Sequence, residues 1–174
     1  GHDSWDYDGP NNGYNIPLSP PISMADGIKY MGIPNVCVIR RTGIPKDEDY
    51  LNQFKDVKRI AWALAMGSNE SYQTVKDYVL SLRDRMPNLT GYFLDDFFRF
   101  TAKSVSDKNS TEPAPAALSI EEMKQLYDET LAYKRRLDIA VVLYTHQLHP
   151  SIQPVMKYVD VVSLWIWTGA DIKR

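Results

Sequence analysis

Three short apolar runs in this chain each close on side chains capable of chemistry: Tyr92-Phe93-Leu94-Asp95-Asp96, Val141-Val142-Leu143-Tyr144-Thr145-His146 and Val161-Val162-Ser163-Leu164-Trp165-Ile166-Trp167. A helical stretch precedes each, so the spacing reads helix, strand, helix, strand. Strands of a parallel sheet are buried on both faces and appear as near-continuous hydrophobic runs. Ligands of α/β folds sit beyond the carboxyl ends of such strands. Asp95, Asp96, Tyr144, His146, Trp165 and Trp167 are therefore expected to share one rim.

With 174 residues, 44% hydrophobic and 24% charged at a formal net charge of -2, the chain suits one globular domain over residues 1–174. No basic block points to nucleic acid. The apolar stretches are far shorter than the ~20 residues of a membrane span. The lone Cys37 excludes an intrachain disulfide and reads as a small buried hydrophobe within Asn35-Val36-Cys37-Val38-Ile39. The start at Gly1-His2-Asp3 shows no signal peptide, and reads either as targeting residues removed or as a start inside a natural protein.

Residues 1–21, rich in Gly, Pro, Asn and Asp, read as a strand end and a long loop. Ser23 caps a helix over Met24–Met31, stopped by Gly32-Ile33-Pro34, and a strand follows over Asn35–Arg40. Asp47–Lys55 reads as a helix with acids at its start, and Arg59–Met66 as a buried strand. Ser68 or Asn69 is expected to cap a helix over Tyr72–Arg85, with Val75, Tyr78, Val79 and Leu82 on one face. A strand over Thr90–Phe97 leads into a long polar loop, Thr101–Leu118, whose length suits a lid or mobile segment. Ser119 and Glu122 form a capping box for a helix ending near Arg136. The strand Ile139–Thr145, a short helix Ser151–Tyr158 and the strand Val161–Trp167 complete the pattern.

Counting the opening segment, this gives about six β/α units of ~25–35 residues. An eight-stranded (β/α) barrel needs about 250 residues, so the expectation is an incomplete parallel barrel of the TIM type. An open doubly wound sheet is the alternative, but no Gly-rich phosphate turn follows any strand. An unclosed barrel would leave apolar edges at its first and last strands, which a second copy or further polypeptide should cover.

The stretch Leu89-Thr90-Gly91-Tyr92-Phe93-Leu94-Asp95-Asp96-Phe97-Phe98-Arg99, with Val142-Leu143-Tyr144-Thr145-His146-Gln147 and Asp160-Val161-Val162-Ser163-Leu164-Trp165-Ile166-Trp167, resembles a group of glycoside-hydrolase-like (β/α)8 barrels of gut and environmental bacteria. The opening Trp5-Asp6-Tyr7-Asp8-Gly9-Pro10 is similar to that group's first strand and loop. The resemblance implies a barrel fold and a carbohydrate ligand, bound or hydrolysed at the carboxyl ends of the strands.

Asp95 or Asp96 is the candidate general acid or nucleophile, and as neighbours in a strand the two should point to opposite faces. A glycosidase needs two carboxylates ~5–9.5 Å apart, so a second acid must come from elsewhere: Asp6, Asp8 or Asp171. The plainer reading is that one aspartate caps the following loop or pairs with Arg99. His146 is a candidate acid/base and Tyr144, two residues away, a substrate-positioning hydroxyl. Trp5, Tyr7, Trp165 and Trp167 are candidates for a sugar platform, since an indole presents a flat apolar face with one N–H donor. Trp62 reads as core. Arg40 could hold an anionic group or pair with an acid. No cofactor is implied. A metal site built from His2, His146, His149 and the two aspartates is the alternative chemistry, without any metal-binding spacing to support it.

Overall fold

The computed structural model describes residues 22–39, 48–64, 71–99 and 113–166. The chain divides into two compact units, residues 1–90 and 91–174. The fold is α/β with a five-stranded parallel sheet whose strand order, β1-β2-β3-β4-β5, is the order of the chain. The sixth unit expected from the opening segment falls on residues outside those described.

In the first unit, helix α1 (Met24–Met31) begins where Ser23 Oγ accepts the Asp26 N–H at 3.1 Å. It ends at Gly32, whose φ of 63° is a left-handed conformation that a glycine adopts without a Cβ penalty. Strand β1 (Asn35–Val38) pairs in parallel with β2 (Arg59–Ala63) in the register Val36 with Ile60 and Val38 with Trp62. Between them Glu48–Phe54 forms a 3-10 helix where an α-helix was expected. Helix α2 (Tyr72–Arg85) is capped by Ser71, whose Oγ accepts the Thr74 N–H, and not by Ser68 or Asn69. Its apolar stripe buries Val75, Val79 and Leu82 as the spacing predicts.

Trp62 is 2% exposed and meets the rings of Tyr50, Phe54 and Tyr78 edge-on, with centroids 6.0–6.4 Å apart. It is a core residue. Asn88 Nδ2 donates to the carbonyls of Phe54 and Val57 at 2.9 and 2.7 Å, tying the 3-10 helix to the start of β3. Cys37 is only half-buried, unlike the buried hydrophobe expected.

Strand β3 (Leu89–Leu94) runs from the first unit into the second. There it pairs in parallel with β4 (Asp138–Tyr144), which pairs in parallel with β5 (Val161–Trp165). Gly91 is required by close approach: a Cβ there would lie 2.6 Å from the Asp138 carbonyl oxygen. Helix α3 (Ile120–Leu131) opens on the expected capping box. Ser119 Oγ accepts the Glu122 N–H, and the Glu122 carboxylate accepts the Ser119 N–H. It stops five residues short of Arg136 and buries Met123, Leu126 and Thr130. A 3-10 turn (Pro150–Ile152) and the single-turn helix α4 (Gln153–Met156) precede β5. Asp160 accepts from Arg136 and from the Ile139 N–H, fixing the amino ends of β4 and β5.

Strand β5 is the last in the sheet order, and its apolar residues stay exposed on both faces. No helix among the described residues is long and apolar enough to cross a membrane.

Candidate functional site

The ends of β3, β4 and β5 supply the site, all within the second unit. Strand β3 stops at Leu94, so Asp95 and Asp96 sit on a turn and not on the strand. The expected alternation of the two aspartates across the sheet therefore does not apply. Asp96 has a φ of 45°, a left-handed conformation that an aspartate enters more readily than most side-chain-bearing residues. The turn is closed by the Asp96 N–H, which donates to Asp95 Oδ1 at 3.2 Å.

From the end of β4, the Tyr144 hydroxyl donates to Asp96 Oδ1 at 2.7 Å across 48 residues of sequence. His146 lies in a 3-10 turn (Thr145–Gln147), one step past the strand. Its ring nevertheless stacks on Tyr144, with centroids 5.4 Å apart and planes 15° from parallel. Trp165, in register with Tyr144 across the β4–β5 pair, meets it edge-on at 5.9 Å and 84°. The indole N–H donates to Ser163 Oγ two residues back along the same face of β5, at 2.9 Å. Asp96, His146 and Trp165 are exposed, Asp95 and Tyr144 half-buried.

This arrangement rests on a residue that carries no signal in the sequence. Gln147 is only 3% exposed. Its Oε1 accepts the Tyr144 N–H at 3.0 Å and its Nε2 donates to the Phe98 carbonyl at 2.9 Å. One buried amide thus joins the loop after β3 to the turn after β4, and so fixes Tyr144 relative to Asp96. A buried amide with both ends satisfied is a costly group to lose.

Of the residues singled out from sequence, the structure brings together Asp95, Asp96, Tyr144, His146 and Trp165. Trp5, Tyr7, Arg40 and Trp167 lie outside the described residues, as do Asp6, Asp8, Asp171 and His2. No ion pair joins Asp96 to Arg99. His149 turns to its own loop, where its Nδ1 meets the Ser151 hydroxyl and backbone N–H. Among the described residues no three His, Cys, Asp or Glu side chains come together to hold a metal ion.

A cavity of about 460 Å³ lies elsewhere, in the first unit. Its lining includes Asp49, Asn52, Lys55, Arg85 and Asn88, close to where β2 and β3 begin. That is the pole of an α/β sheet that serves stability more often than ligand binding.

Chemically, the rim offers a carboxylate acceptor, an imidazole able to donate or accept, and an exposed indole face, with a tyrosine between them. No protein-family model, curated protein or solved structure matches this chain.

Proposed function

We propose that the chain is a protein of the (β/α)-barrel type and that the rim formed by Asp96, Tyr144, His146 and Trp165 binds a carbohydrate. The supporting observation is the placement of one carboxylate beside three aromatic rings, two of them exposed. The Trp165 face suits the C–H face of a pyranose, which is apolar and flat. Asp96 and the His146 ring nitrogens then supply the few oriented polar groups that such a platform needs for its hydroxyl partners.

Hydrolysis is the second reading, favoured by the left-handed backbone of Asp96, since residues held in sparsely populated conformations cluster at active sites. It requires a second carboxylate ~5–9.5 Å across the scissile bond. Asp95 and Asp96 share one turn and cannot straddle a bond, so among the described residues the geometry supports binding further than turnover.

Titration of intrinsic tryptophan fluorescence with a panel of oligosaccharides tests the proposal, with aryl-glycoside turnover measured in parallel. Binding by at least one glycan, weakened at least about tenfold in Trp165→Ala, is the expected result, matching the loss of a stacked aromatic. Equal affinity in wild type and Trp165→Ala, or no binding across the panel, overturns it. Turnover abolished by Asp96→Asn would establish the second reading.

A further inference from the structure

Ser163 is the one hydroxyl-bearing residue in the apolar run Val161-Val162-Ser163-Leu164-Trp165-Ile166. It stands two residues before Trp165, so on strand β5 both side chains leave the same face. Ser163 is half-buried and Trp165 is 39% exposed. The indole N–H donates to Ser163 Oγ at 2.9 Å, and the ring meets Tyr144 edge-on at 5.9 Å. One contact from its own strand and one from β4, where Tyr144 and Trp165 are in register, therefore hold the ring at two points.

The serine affects a stacked ligand in two ways. An exposed tryptophan without such contacts turns about its side-chain torsions and must be immobilised when a sugar lies on it. Immobilising a side chain costs affinity, and a ring held beforehand avoids that cost. An indole also has a single N–H donor and no acceptor. With that N–H engaged by Ser163, the ring offers a ligand its apolar face and no hydrogen bond.

We infer that Ser163 is a positioning residue of the rim: it holds the Trp165 ring in place before a sugar arrives and withholds the indole N–H from it, so that the sugar meets Trp165 through its C–H face alone. This rests on the carbohydrate reading above and adds to it how the platform is held and which part of the indole a sugar meets.

The test compares the whole chain with its Ser163→Ala and Ser163→Thr variants in two measurements. The first needs no ligand: proton NMR reads the exchange of the Trp165 indole N–H with water. It should be about two- to tenfold faster in Ser163→Ala, the range for losing one neutral hydrogen bond. The second is calorimetry with β-1,4-glucan, β-1,4-xylan and β-1,4-mannan oligomers of equal length. Ser163→Ala should bind about two- to tenfold more weakly than wild type, the range for immobilising one side chain on binding. Threonine keeps the hydroxyl and suits a strand, so Ser163→Thr should restore both readings.

Ser163→Ala also frees the indole N–H, so the sign of its effect is decisive. Affinity in that variant equal to or tighter than wild type overturns the inference, as does indole exchange that the substitution leaves unchanged. A loss in Ser163→Ala that Ser163→Thr does not restore overturns it too. In each of these cases the wild-type chain still binds and the carbohydrate reading stands. Failure of every oligomer to bind the wild-type chain overturns both.

Discussion

Replacing Gln147 by methionine keeps the volume and length of the side chain while deleting its hydrogen bonds to the Tyr144 N–H and the Phe98 carbonyl. The wild-type amide is 3% exposed, with partners Tyr144 N–H and Phe98 C=O at 3.0 and 2.9 Å. Each bond is worth about 1 kcal/mol where water can replace the lost partner, and ~1–3 kcal/mol where the partner stays buried. The pair together therefore predicts a loss of about 2–6 kcal/mol of unfolding free energy. The thioether packs as well as the amide, so little of that loss comes from a cavity.

Urea unfolding followed by circular dichroism and by tryptophan fluorescence reads the change, with the slope of the transition checked for constancy. Gln147→Glu is the comparison, since it keeps an acceptor for Tyr144 and loses the donor to Phe98. It should fall on the destabilised side of wild type as well. A loss below about 1 kcal/mol in Gln147→Met would refute the claim that this amide is a satisfied, buried clamp between the two loops.

Trp62→Ala should cost about 3–5 kcal/mol in the same assay, the range for emptying a buried aromatic site, because three rings lose their shared partner. Gly91→Ala should destabilise by about 1–3 kcal/mol, because the new methyl would meet the Asp138 backbone oxygen, which cannot swing aside as a side chain does. Ser119→Ala removes half of the capping box and should cost about 1 kcal/mol, with the helix otherwise intact by circular dichroism.

Local chemistry made much of this fold legible. Ser119 and Glu122 announce the start of α3 because both halves of the box lie within four residues. Ser23 before α1 and Gly32 after it do the same, and the apolar stripe Val75, Val79, Leu82 fixes the buried face of α2. Parallel strands were legible from their uninterrupted apolar runs. Strand ends were less so: Asp95 and Asp96 continue an extended pattern in sequence, but the chain turns after Leu94, and no residue there signals the turn. The cap of α2 moved to Ser71 because several Ser and Asn residues precede that helix and propensity alone does not rank them. The segment over Glu48–Phe54 has helical composition yet winds as 3-10, a distinction that periodicity over seven residues does not make.

The candidate site divides along the same line. Its aromatic and acidic members stood out by type and by place at strand ends. Their juxtaposition followed from parallel strand direction, and the Tyr144–Asp96 bond and the Tyr144–Trp165 contact agree with it. Gln147 did not stand out. Its partners include a carbonyl 49 residues away, and a lone glutamine after a strand carries no spacing that would single it out.

The proposed rim depends most on the packing of three rings, two from the ends of β4 and β5 and one from the turn after β4. Proton NMR on the assigned protein reads this directly through nuclear Overhauser cross-peaks between aromatic side chains. Tyr144 is predicted to show cross-peaks to the ring protons of both His146 and Trp165, consistent with centroids 5.4 and 5.9 Å away. Their absence, in spectra where the Phe97–Phe98 pair at 4.9 Å gives a clear cross-peak, would contradict the gathered rim and everything built on it.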